Sequence, residues 1–116
     1  MAFNATFAHG DVVHIDYTPT SGNVAAGAVI PLSNTGPVGM AFEPILNNTL
    51  GSLALGGVWT VTNLNNAANY AKVWWDNTNN KVTTVSTNNA LFGMVVSQGG
   101  GGANSACRVL ANPNPP

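Results

Sequence analysis

Residues 72–97, KVWWDNTNNKVTTVSTNNALFGMVVS, are the stretch that most narrows what this chain can fold into. Lys72–Asp76 is aromatic and β-branched, residues 77–80 are a polar turn, and residues 81–85 are β-branched again. Branched and aromatic side chains pack well on a pleated surface, and Asn tolerates the backbone angles of tight turns, so the segment reads as a β-hairpin. After a second polar break at 86–89 comes the apolar run 90–96, with Gly93 in its middle. That run suits a strand covered on both faces, and is too short and too closely flanked by turns for a helix.

The rest of the chain extends the pattern. Residues 10–17, GDVVHIDY, alternate, with Val13, Ile15 and Tyr17 on one side and His14 and Asp16 on the other, as in a half-buried strand. Residues 24–31 form a small-residue strand in which Gly27 permits a bulge, and residues 38–42 a short strand stopped near Pro44. Residues 50–55 and 57–62 read as paired strands around Gly56-Gly57. Residues 63–70 are the one place for a helical turn, though too rich in Asn for a firm helix. A Gly-rich loop at 98–104 precedes a last strand at 105–111. The NPNPP ending cannot continue a sheet, because proline lacks the amide donor. Short, evenly spaced strands predict one all-β domain, a small barrel or sandwich. Its expected boundaries are an N-terminal arm at 1–9, a β-domain at 10–111 and a Pro-rich C-terminal tail at 112–116.

Charge then limits function. Only 6% of the 116 residues are charged, against ~25% in ordinary domains. So few charges protect a free surface poorly against self-association, which is no hazard for a subunit whose surface is mostly covered. Three basic residues, Lys72, Lys81 and Arg108, are too few and too scattered to displace the counterions of a phosphate backbone, so no nucleic-acid partner is expected. No phosphate-binding G-x-x-x-x-G-K-[ST] loop occurs. No apolar run approaches the ~20 residues that span a bilayer, and the first residues lack a secretory pattern. The expectation is a protein made in cytoplasm, not secreted and without a membrane partner.

Chemistry is equally limited. Cys107 alone excludes an intrachain disulfide and a Cys-based zinc site, and it reads as a small buried group in the last strand. His9, Asp11, His14 and Asp16 invite a metal reading, but Asp11 points away from His14 in a regular strand and no third convergent ligand is identifiable. The four carboxylates show no catalytic-pair motif, and G-x-S-x-G is absent. The chain is expected to be no enzyme and to need no cofactor. Trp74 and Trp75 are adjacent, so in a strand they face opposite ways. One belongs in the core; the other suits a subunit interface, or a sugar ring in a binding module. Asp76 is placed to cap the turn that follows it.

In order and spacing, Val73-Trp74-Trp75-Asp76, Lys81-Val82-Thr83-Thr84 and Leu91-Phe92-Gly93-Met94-Val95 resemble a family of small tailed-phage proteins, with further matches at Gly10-Asp11-Val12-Val13 and Gly56-Gly57-Val58-Trp59. These are head decoration, or capsid cement, proteins, often mislabelled as RecA/RadA-family recombinases. The resemblance implies a β-domain that assembles as homotrimers on the outer surface of the expanded head. There it binds the major capsid protein at three-fold and quasi-three-fold positions and holds the lattice against the pressure of packaged DNA. The family assigns no residue roles. Local pattern suggests Phe3, Asn4 and Phe7 as capsid contacts on an N-terminal arm, and outward aromatics Trp59 and Trp74 at the trimer contact. The alternatives are a carbohydrate-binding or host-adhesion module, or a minor tail or baseplate protein.

Overall fold

The computed structural model describes residues 5–33, 37–99 and 104–111. These form ten strands: β1 (Thr6–His9), β2 (Val13–Tyr17), β3 (Val29–Pro31), β4 (Val38–Met40), β5 (Gly51–Leu55), β6 (Val58–Asn63), β7 (Lys72–Asp76), β8 (Lys81–Thr83), β9 (Ala90–Ser97) and β10 (Ser105–Ala111). The protein is all-β, with no helix among the described residues. The proposed tail at 112–116, and Phe3 and Asn4, lie outside those residues.

β7 and β8 pair antiparallel as the sequence indicates, Trp75 opposite Val82 and Asp76 opposite Lys81. Asp76 closes their turn: its carboxylate accepts the backbone N–H groups of Thr78 at 2.9 Å and Asn79 at 3.1 Å, and the Asn79 side-chain amide at 2.8 Å. β9 then lies on the other side of β7. The six-stranded sheet runs β1-β6-β10-β9-β7-β8, and a parallel bridge from Asn63 of β6 to Val82 of β8 closes it into a small barrel.

Alternation fills the barrel. Trp59 and Val61 of β6, Val73 and Trp75 of β7, and Cys107 and Val109 of β10 are all buried in one cluster. In β9 the period of two breaks, since Phe92 and Val95 are both buried in that cluster. The register shifts opposite Val73/Trp74 and Arg108/Val109 supply the extra residues, as β-bulges do. Gly93 lies between them, and a Cβ there would overlap the carbonyl of Leu110. Glycine at this position is a requirement of backbone approach.

The second sheet, β2-β5-β4-β3, is antiparallel. Val29, Val38, Met40 and Ala54 join the barrel's core, whereas Leu53 packs in a second cluster with Val24, Ala41 and Ile45. Completely burying one such aliphatic side chain contributes roughly 1.5–3 kcal/mol, so the two clusters carry most of the fold's stability.

Three expectations are corrected. Residues 50–55 and 57–62 are not a hairpin: β5 belongs to the second sheet and β6 to the barrel. Gly56 and Gly57 both have positive φ, 82° and 79°, and turn the chain from one sheet into the other. The described part of the expected arm is no arm, because Thr6–His9 is a barrel strand paired with β6, Phe7 opposite Trp59. Residues 63–70 hold no helical turn. There the buried Asn63 side chain accepts the Ala67 N–H at 2.9 Å and donates to its carbonyl at 3.1 Å, stapling Ala67 into the core.

Candidate contact surfaces

A groove of about 650 Å³ opens on the second sheet, between β2, the start of β5 and residues 42–50. The loop that walls it is rigidly held. Val24 and Ile45 exchange backbone hydrogen bonds at 2.8 and 2.9 Å, and Asn48 donates its N–H to the Pro19 carbonyl at 2.8 Å. The side chain of Asn23 accepts the Asn47 N–H at 2.8 Å, and that of Asn47 accepts the Gly22 N–H at 3.0 Å. Thr49 turns the chain by donating both its hydroxyl and its N–H to the Leu46 carbonyl. Within this frame Ile45 takes the inward place, over Gly51, where a Cβ would come within 2.7 Å of its Cγ2.

Leu46 and Leu50 are left pointing out. They are 62% and 71% exposed, and Phe42 at the groove's far side is 44% exposed. Six large apolar side chains are this exposed among the described residues, and three of them line one groove. Three exposed apolar side chains around one groove, on a hydrogen-bonded frame, make it a candidate contact surface. Asp16 and Glu43 also line it, together with His14, and no Lys or Arg does. Phe42 is backed by Phe7 and Trp59, with ring centroids 5.5 and 5.2 Å away.

A second surface is the outside of the barrel across β7, β9 and β10. Trp74 is paired with Leu91, and Lys72 with Met94, which is itself paired with Leu110. Trp74, Leu91, Met94 and Leu110 are half-buried, while Lys72 and Arg108 are exposed beside them. Trp75 is buried at 1% exposure, so the adjacent tryptophans divide between core and surface.

The residues suggested by sequence are thus dispersed. Trp59 does not face outward: it is 1% exposed, and its indole N–H donates to the Gly56 carbonyl at 2.7 Å. A ring so enclosed offers nothing to another chain, and the trimer-contact suggestion for Trp59 is corrected on that ground. Phe7 is half-buried against Trp59 and so belongs to the domain's own packing rather than to a free anchor. Trp74, half-buried on the outer face of the barrel, is the described trimer-contact candidate that reaches a surface. Among the described residues no three His, Cys, Asp or Glu side chains gather where a metal ion would be held. Cys107 is buried, and burial pushes its thiol up to about 11. The groove itself was missed by sequence reasoning. Its signal, two leucines bracketing the Asn-Asn-Thr turn, has no strand or helix period.

Two β-sheets, each presenting partly or fully exposed apolar side chains, make up the described residues. The phage cement protein family matches residues 7–111, and the chain belongs to that family. Neither the curated proteins nor the solved structures include a match to it. A cement protein is a structural protein of the phage capsid, and a capsid-binding structural role follows for this chain.

Proposed function

We propose that the protein decorates the outer surface of the phage head as a homotrimer. It sits at three-fold and quasi-three-fold positions, where it binds the major capsid protein and stabilises the expanded shell against internal DNA pressure. It is made in the host cytoplasm and catalyses nothing. The family match over 7–111 carries this reading. The physics of the chain supports it. A subunit with 6% charged residues is suited to having its neutral surface covered. A trimer gripping three coat subunits turns its second and third contacts into intramolecular ones, so weak contacts add up to slow release. Trp74 is the candidate for the trimer contact, and the segment with Phe3 and Asn4, entering at Ala5, for the coat contact.

Co-sedimentation with heads lacking the protein tests the proposal. Saturable binding at a fixed ratio to coat protein, little changed between low and high salt, is the expected result. A failure to bind competent heads removes it and turns attention to glycan stacking on Trp74.

A further inference from the structure

The two contact surfaces are complementary to each other. The groove presents exposed Phe42, Leu46 and Leu50 beside the carboxylates of Asp16 and Glu43. The barrel face presents Trp74, Leu91, Met94 and Leu110 beside the cations of Lys72 and Arg108. The chain has only seven charged residues, and four of them sit around these two surfaces, with opposite signs. Of the others, Asp76 and Lys81 face each other across the β7–β8 hairpin. The surfaces lie on different sheets, so no one copy can satisfy both against itself.

We infer that the groove of one copy receives the barrel face of a second copy, with Asp16 and Glu43 meeting Lys72 and Arg108 around an apolar centre. This inference rests on the homotrimer reading and supplies its interface. Such a contact is heterologous, since different surfaces meet, and repeating it around a rotation axis closes a ring. A symmetric contact of groove with groove would set like charges together, as would face with face, and is disfavoured. The apolar centre provides the attraction, and the charges set partner and register. Rigidity favours the arrangement: the hydrogen-bonded loop at 42–50 and the barrel strands need little ordering on contact.

The test is the oligomeric state of charge-reversed variants by sedimentation velocity, with circular dichroism confirming the fold of each. Two half-swaps are made, Asp16→Lys with Glu43→Lys, and Lys72→Glu with Arg108→Glu. Each alone is expected to raise the dissociation constant about tenfold or more, because like charges then meet. The chain carrying all four changes is expected to recover the wild-type oligomer, as no structural side effect would. A wild-type chain that stays monomeric at high concentration overturns the inference, as do half-swaps that associate normally or a four-fold swap that fails to recover. Binding to heads is scored separately. An oligomer that ignores heads defeats the decoration reading alone, and a monomer that binds them defeats the interface alone.

Discussion

Phe7 stands edge-on to Trp59, with ring centroids 5.2 Å apart and planes inclined by 70°. That contact fastens the first described strand to the barrel and backs Phe42 at the groove. Phe7→Ala removes a half-buried ring from against Trp59 and Phe42 and is expected to destabilise the fold by about 3 kcal/mol, read as a lowered urea midpoint. Removing residues 1–9 deletes β1 and should unfold or strongly destabilise the domain. Removing residues 1–4 should leave its stability near wild type and weaken head binding if that segment touches the coat.

Gly93→Ala tests the close approach of β9 to β10. The new methyl group would meet the Leu110 carbonyl, and neither strand can retreat without breaking the barrel ladder. A loss of about 3 kcal/mol or more, or failure to fold, is expected from thermal unfolding. A neutral outcome would show that β9 and β10 are not packed this tightly.

Asn63→Leu tests the staple at the barrel's far end. The variant keeps the volume but leaves the Ala67 N–H and carbonyl without their side-chain partners. An unmade buried hydrogen bond costs roughly 1–3 kcal/mol, so a loss of about 2 kcal/mol in chemical denaturation is expected.

Cys107 gives the fold a pH signature. Its thiol rises from 9.0 unfolded to about 11 folded because burial disfavours the thiolate. A raised folded value means that the stabilisation is intact below about 9 and is lost as pH climbs towards 11. Wild type should therefore lose more stability than Cys107→Ala between pH 8 and pH 11, measured as the difference between their urea midpoints. At pH 8 the native thiol should resist alkylation until the protein is unfolded.

Those particular elements also show where sequence legibility ends. The bounds of β7 and β10 were readable, because Lys72–Asp76 and Ser105–Ala111 combine branched or apolar residues with sharp polar borders. The β7–β8 hairpin was readable from its Asn-rich turn. Gly56-Gly57 was ambiguous, since positive φ at both residues serves a hairpin turn and a crossing between sheets alike. Val13 alternates with Ile15 yet is 67% exposed, at the first position of the edge strand β2. Trp59 looked free to face outward because alternation fixes which residues share a face but not which face is inside. The candidate surface was least legible. It depends on Ile45 winning the inward place over Gly51, a long-range fit that spacing does not encode.

Decoration of the head is open to direct observation by electron cryo-microscopy of heads with and without the protein. Difference density is expected on the outer surface at three-fold and quasi-three-fold positions, fitted by three copies of this barrel. Heads that bind no added density there, at saturating protein, would contradict it.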